Sequence, residues 1–316
     1  MKCLVAVIGP TAVGKSQLAL RLAQEFDGEI INADSRQVYR YTDIGTAKPS
    51  HFELSLVRHH LIDIINPDES FSLAIYQNLA NDAIKNIQHR HKLPLLVGGS
   101  GLYIWSVIEG WKIPPVAPDA ELRHSLEVRA KKEGSYSLYQ ELQKVDPVAA
   151  TKIMPNNLRR IIRALEICRA TGQPVSKLWQ KRPPTYPVLI IGLTMHRDNL
   201  YRRIDSRVDE MIKQGLIEEV KDLMAKGYSL DLPSMSGIGY KQIGKFLQGK
   251  LDLTTAIQQI KNETHRFARH QYAWFHLKDD RIRWLNTGDD IQDEANGLAA
   301  GFLSSLNCTQ VNYEVH

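Results

Sequence analysis

The sequence predicts an α/β protein: a parallel-sheet core built around a phosphate loop, with an inserted helical domain and a helical C-terminal region. Three observations carry this. Short continuous apolar runs alternate with helical patterns, as strands covered on both faces do. Gly9-Pro10-Thr11-Ala12-Val13-Gly14-Lys15-Ser16 matches G-x-x-x-x-G-K-[ST] between one such run and a helical segment. Two proline-rich breaks, residues 113–118 and 182–187, enclose a stretch in which every segment reads as helix.

Cys3 to Ile8 is the first strand, and Gln17 to Phe26 follows as a helix with Leu18, Leu20, Leu22, Ala23 and Phe26 at helical spacing. Ile30 to Asp34, Leu93 to Gly99 and Val188 to Leu193 read as further strands. Between the breaks, Ala120 to Glu133 and Ser137 to Val145 are amphipathic. Leu158 to Arg169 places Leu158, Ile161, Ile162, Leu165 and Ile167 largely on one face, and Thr171-Gly172-Gln173-Pro174 stops it. Residues 199–278 look almost entirely helical, and the tail beyond about residue 300, with Ser304-Ser305-Leu306-Asn307, is expected to be poorly ordered. The expected boundaries are 1–112 and 187–316 for the core and 113–186 for the insertion.

Composition excludes several classes. Hydrophobic residues at 43% and charged residues at 24% suit a soluble globular chain, and a net charge of +5 suits an anionic partner. Cys3, Cys168 and Cys308 have no C-x-x-C spacing, so a disulfide framework and a zinc site are both excluded, and reduced thiols in a cytoplasmic protein are expected. The N-terminal apolar run flows directly into Gly14-Lys15-Ser16, which makes it a core strand and not a signal peptide. No stretch approaches the roughly 20 apolar residues that cross a bilayer. Nothing suggests a coiled coil or swapped strand, so a monomer is expected.

Gly9, Pro10, Thr11, Ala12, Val13, Gly14, Lys15 and Ser16 curl the backbone so that successive N–H groups point at an anion, and the following helix adds its positive end. Lys15 contributes a mobile charge and the Ser16 hydroxyl can hold magnesium. A di- or triphosphate site follows, though the loop alone does not say which. Asp34 ends a strand on the same rim, where a carboxylate acts as general base, holds magnesium or caps the next helix. Gly98-Gly99-Ser100-Gly101 is a second strand-to-glycine turn that allows close approach of a ligand or another backbone, and could wall a substrate channel. Arg159, Arg160 and Arg163 surround one helix start, either as a solvated basic face or as contacts to an RNA backbone. His265 to Phe275 interleaves cations with aromatics. Phe267, Trp274 and Phe275 read as core, and the cations as contact residues.

In combination these segments resemble the tRNA dimethylallyltransferase (tRNA isopentenylpyrophosphate transferase) family along nearly the whole chain. The matching stretches are Gly9 to Ser16, Asp34 to Tyr39, Ile44 to Pro49, His59 to Asp63 and Gly98 to Tyr103. Arg160 to Glu166, Ile238 to Gln242 and Phe267 to Phe275 complete the series. The resemblance implies a nucleotide-kinase-like core with a mobile helical insertion, magnesium as the ion, and tRNA and dimethylallyl diphosphate as partners. The implied reaction moves a dimethylallyl group to the exocyclic amine of the adenine just 3′ of the anticodon. The resemblance further implies Asp34 as general base, Thr11 and Arg207 as catalytic partners of the diphosphate, and tRNA contact at Asp34, Ser35, Arg36, Gln37, Ser100, Arg123, Arg159, Arg160, Ile161, Ile162 and Arg163. The chain departs from the family at Ser100 (threonine is common), Asn157 (often aspartate), Arg159 (often glutamine), and His265 and His270 (usually arginines).

Two other classes compete. Most phosphate loops serve nucleoside triphosphates, so an ATP-dependent small-molecule or nucleotide kinase is the alternative. The absence of a clear apolar run ending in a second magnesium-binding aspartate, other than the one at Asp34, weakens it. A non-catalytic RNA-binding protein that kept the fold is the third.

Overall fold

A computed structural model describes residues 2–288 and 290–311, with side chains through Leu306. The chain forms two compact units, Met1–Ile108 with Thr185–His316, and Glu109–Pro184. In the first unit β1 (Leu4–Ile8), α1 (Lys15–Glu25), β2 (Gly28–Asn32), α2 (His51–Leu56), β3 (His59–His60), α3 (Leu73–His89), β4 (Leu93–Gly98) and α4 (Gly101–Ile108) come first. The second unit contributes α5 (Ala120–Glu133), α6 (Ser135–Val145), α7 (Pro147–Lys152), α8 (Leu158–Thr171) and α9 (Val175–Leu178). The chain then returns through β5 (Val188–Thr194), α10 (Arg197–Lys213), α11 (Leu216–Ala225), α12 (Tyr240–Leu247), α13 (Leu253–Tyr272), β6 (Ile282–Asn286) and α14 (Ile291–Val311).

The six strands are all parallel, in the order β3-β2-β4-β1-β5-β6. β1, β2 and β4 are buried at every position, which is why they read as unbroken apolar runs and not as alternating ones. Register decides where chemistry is placed. Ile8 pairs with Gly98 and Asn32 with Val97, so β1, β2 and β4 end within one residue of the same height. The loops that follow them meet on the carboxyl edge of the sheet, where open α/β folds bind ligands.

The second unit has its own core, in which Leu126, Leu138, Leu142, Ile161 and Leu165 pack together. Asp146 is buried there and caps α7 through the Ala149 N–H (2.9 Å), while accepting the Ser176 N–H and hydroxyl (2.7 Å each).

Several expectations need correction. β3 and β6 escape periodicity analysis: one has two residues, and the other alternates exposed Arg283 with buried Ile282 and Leu285. The tail beyond about residue 300 was expected to be poorly ordered; Ser304 to Leu306 lie inside α14, and residues 312–316 lie outside the described residues. Phe302 and Leu306 on that helix pack against the sheet's core, and this burial offsets the polar composition. Between α11 and α12, residues 226–239 are mostly irregular, so the 199–278 segment is less helical than expected.

Candidate active site

The phosphate loop connects β1 to α1 as the motif demands. Gly14 has φ 107° at the N-cap of α1, a left-handed conformation that a side chain disfavours. Ala12 also sits at φ 63°, a strained value for a residue with a Cβ, of the kind that persists where surrounding structure over-determines it. The Lys15 ammonium donates to the Pro10 carbonyl at 2.7 Å. Burial pushes its pKa down to about 7, with attraction to Asp34 opposing the shift and repulsion from Arg207 adding to it. Arg207, on α10, is likewise lowered by burial and supported by Asp34, and it donates to the Thr11 hydroxyl at 3.3 Å.

A cavity of about 1240 Å³ opens beside these groups, lined among others by Thr11, Lys15, Ser16, Asp34 and Arg207. It brings the sequence-predicted Thr11, Asp34 and Arg207 together with Ala12, Gly14, Lys15 and Ser16 of the loop, whereas Gly9, Pro10 and Val13 do not line it. Asp34 follows β2 in a loop and not ahead of a helix, so the helix-cap reading falls. One carboxylate oxygen instead accepts the Arg36 N–H (2.8 Å) in an Asx-type turn, and no described residue donates to the other. Arg202 and Arg203 also line the cavity. Neither belongs to a motif that marks it as a contributor, although Arg203 stands four residues before Arg207 on the same helix face.

The wall opposite the loop is built from residues 43–49. Glu219 on α11 accepts the backbone N–H groups of Asp43 (2.9 Å), Ile44 (2.7 Å) and Gly45 (3.1 Å) and the Tyr240 hydroxyl (2.6 Å). Gln37 donates to the carbonyls of Thr46 and Ala47 (3.1 Å each), and Arg36 donates to the Pro233 carbonyl and the Ser236 hydroxyl. Both expected RNA-contact side chains are therefore anchored to the protein here.

At the glycine turn the close approach that was expected is made by protein. Gly98 lies against the Ala33 backbone, Gly99 against the Gln271 amide and Gly101 against the Trp274 ring, and a Cβ at each would overlap these groups. The missing side chains admit neighbouring protein, and Gly98 and Gly99 also line the cavity. The Ser100 hydroxyl accepts the Ser35 N–H at 3.1 Å and so ties this turn to the Asp34 loop. Phe267 corrects another reading: it is 43% exposed, whereas Phe275 is fully buried.

In the helical unit the arginines divide. Arg159 and Arg160 are exposed at the start of α8, where Asn157 caps the helix through the Arg160 N–H (3.2 Å). Arg123 forks onto both oxygens of buried Glu166 (2.8 Å each), and Arg163 pairs with the same carboxylate. The side chains of Ile161 and Ile162 are buried in the unit's core, which leaves their backbone for the expected RNA contact. The two arginines hold the Glu166 carboxyl down at about 2 despite its burial. Because the folded value lies below the ordinary 4.5, this stabilisation is complete above pH 4.5 and is lost as pH falls towards 2. Glu166→Gln lowers stability by about 2 kcal/mol at pH 7, the arginines keeping partial exposure, and flattens that acid limb. Thermal unfolding across pH 2 to 7 measures both.

Among the described residues no group of three or more His, Cys, Asp or Glu side chains forms a metal cage, and no helix is long and apolar enough to cross a membrane. Cys3 and Cys168 are buried free thiols; Cys308 lies outside the described side chains.

Comparison with known proteins agrees with this geometry. Residues 37–278 match the model of the family described as IPP transferase. The chain is 50% identical over 292 residues to the tRNA dimethylallyltransferase of Roseiflexus sp. (strain RS-1), covering 92% of this chain and 96% of that protein. It is 52% identical to that of Herpetosiphon aurantiacus over 94% of both chains. Among solved structures, the tRNA isopentenylpyrophosphate transferase of Bacillus halodurans shares 42% identity with a TM-score of 0.73, covering 98% of this chain and 99% of that one. A eukaryotic dimethylallyltransferase captured acting on tRNA shares 28% identity with a TM-score of 0.81, over 96% of this chain and 80% of that one. These relatives favour the transferase reading over the kinase alternative, and the chain belongs to the IPP transferase family.

Proposed function

We propose that the chain transfers a dimethylallyl group from dimethylallyl diphosphate to the N6 amine of the adenine 3′-adjacent to the tRNA anticodon, releasing diphosphate. The observation that carries this reading is the placement of Asp34, a carboxylate with one oxygen unclaimed, in one cavity with Thr11, Lys15, Ser16 and Arg207. A proton acceptor thus faces a cluster of anion-stabilising groups.

The adenine amine is a weak nucleophile because its lone pair is delocalised into the ring. Asp34 accepts its hydrogen bond, orients it and takes one proton as the N6–C1 bond forms. The C1–O bond breaks at the same carbon and its electron pair leaves on the diphosphate. Loop N–H groups, Lys15, the Thr11 hydroxyl and Arg207 stand where that charge develops. The target base leaves its stack to reach the cavity, and Ser35, Arg36, Gln37 and Ser100, adjacent to Asp34 or bonded to its loop, contact the RNA. Exposed Arg159 and Arg160 of the helical unit hold RNA backbone; Arg123 and Arg163 serve through their Glu166 cluster.

The donor set fits a magnesium ion held partly by its substrate. Ser16 offers an exposed hydroxyl to the cavity, and magnesium takes few protein oxygens, completing its shell with phosphate and water. When bound through Ser16, the ion supplies further charge neutralisation to the diphosphate. A cytoplasmic location suits a tRNA-modifying enzyme.

Incubation with unmodified tRNA and dimethylallyl diphosphate yields tRNA heavier by one isoprene unit at that adenine, read by nucleoside mass analysis. ATP turnover on a small acceptor with no prenylated RNA would overturn the assignment. A second consequence concerns pH. An anion bound beside Lys15 restores its ammonium, so donor binding takes up a proton above pH 7. Affinity then falls as pH rises from about 7 towards the ordinary lysine value of 10.5. Calorimetry in buffers of different ionisation enthalpy counts that proton directly; zero uptake at pH 8.5 contradicts the role of Lys15.

A further inference from the structure

Gln271, near the end of α13, is 4% exposed and lies within the segment from His265 to Phe275, where its cationic and aromatic neighbours drew the reading and it was given no role. Its side-chain oxygen accepts the Thr11 N–H at 2.8 Å, and its side-chain nitrogen donates to the Gly99 carbonyl at 2.9 Å. An N–H can only donate and a carbonyl only accept, so both partners impose the same amide orientation. The surroundings leave the amide little freedom. Gly99 has no room for a Cβ beside it, the next residues Trp274 and Phe275 are held by Gly101 and the core, and the Trp274 carbonyl accepts the Trp105 indole N–H at 2.9 Å.

The contacts continue beyond Gly99. The Ser100 N–H donates to the Ala33 carbonyl (3.2 Å), and its hydroxyl accepts the Ser35 N–H (3.1 Å). Thr11 in the phosphate loop and Asp34 in the acceptor loop are therefore joined by one hydrogen-bonded chain: Thr11, Gln271, Gly99-Ser100, then Ala33 and Ser35. We propose that Gln271 is a positioning residue for prenyl transfer, its amide fixing the distance between the leaving-group site at Thr11 and the base at Asp34. This rests on the transferase reading above. The bond also turns the Thr11 N–H away from the anion, so that Thr11 contributes through its hydroxyl, the atom to which Arg207 donates.

A bridge of this kind acts on the transfer step more than on donor binding, because the remaining loop N–H groups and Lys15 still hold the diphosphate. Gln271→Met keeps the shape and removes both bonds. It lowers the single-turnover rate constant about a hundredfold, the scale of an ångström-sized misplacement, while affinity for a non-reactive thiolodiphosphate analogue of the donor stays within about threefold. The single-turnover constant does not depend on the fraction of folded enzyme, which separates positioning from simple loss of stability. Gly99→Ala displaces the same amide and gives the same loss. The double variant is no slower than the slower single one, since both remove one bridge.

A parental rate constant in Gln271→Met, or losses that multiply in the double variant, would overturn the proposal. If Gln271→Met does not fold, Gln271→Glu decides, since its ionised carboxylate accepts from Thr11 but cannot donate to Gly99: a parental rate there overturns the proposal and a slowed one supports it. Failure of the parent protein to prenylate tRNA would instead remove the transferase reading itself.

Discussion

Asp34→Ala lowers the single-turnover rate of dimethylallyl transfer by about 10²–10⁴-fold, the usual contribution of a positioned general base, with tRNA affinity largely kept. The separation is expected because the carboxylate acts on one proton, whereas RNA affinity is spread over many phosphate contacts. Asp34 also has a local structural task, accepting the Arg36 N–H at 2.8 Å. Asp34→Asn separates the two roles: its amide oxygen keeps that turn but its side chain takes no proton at neutral pH. Loss of turnover in both variants, with filter-binding of tRNA unchanged, supports the base. A parental rate in either removes Asp34 from the role of base, and absence of transfer by the parent protein itself would leave a non-catalytic RNA-binding protein.

Lys15→Ala lowers kcat/KM for the donor by about 10²–10³-fold, comparable with removing one preorganised donor from a site of developing charge. The effect is large because Lys15 sits where burial has already pushed its pKa to about 7. There, weak solvation strengthens its attraction to an arriving anion. Ser16 and the loop N–H groups keep some donor binding, so activity falls without vanishing. tRNA affinity in the absence of donor is unaffected. Donor kinetics at saturating tRNA measure the change, and unaltered kinetics in Lys15→Ala would show that the loop does not handle the diphosphate.

How much of this was legible in the sequence depends on how far apart the cooperating residues lie. The loop from Gly9 to Ser16 is contiguous, and its chemistry is carried by backbone N–H groups that any chain of this pattern presents, so it was readable outright. α5 and the start of α8 matched their sequence-based bounds because apolar spacing and the caps at Asp119 and Asn157 are local. β6 was not readable: edge placement leaves Arg283 exposed and only Ile282 and Leu285 buried, too short a pattern to stand out.

Side chains were harder to assign than elements. Arg123 and Arg163 look identical to Arg159 and Arg160 in sequence, and only the buried Glu166 separates structural from exposed arginines. The glycines after β4 announce a close approach without saying to what. Phe267 shows the same limit, since helical spacing puts it near the core stripe while the neighbouring elements leave it uncovered.

By itself the sequence determined an α/β chain with a phosphate loop, a carboxylate at the end of β2 and an arginine on a later helix, because each is set by a few adjacent residues. Only the tertiary structure decided that these share one cavity, and that Gln271, 260 positions beyond Thr11, links the loop to the glycine turn. The physical reason is the parallel register. Strands far apart in the chain end at one height, and hydrogen bonds between the loops they carry depend on that height rather than on any neighbour in sequence.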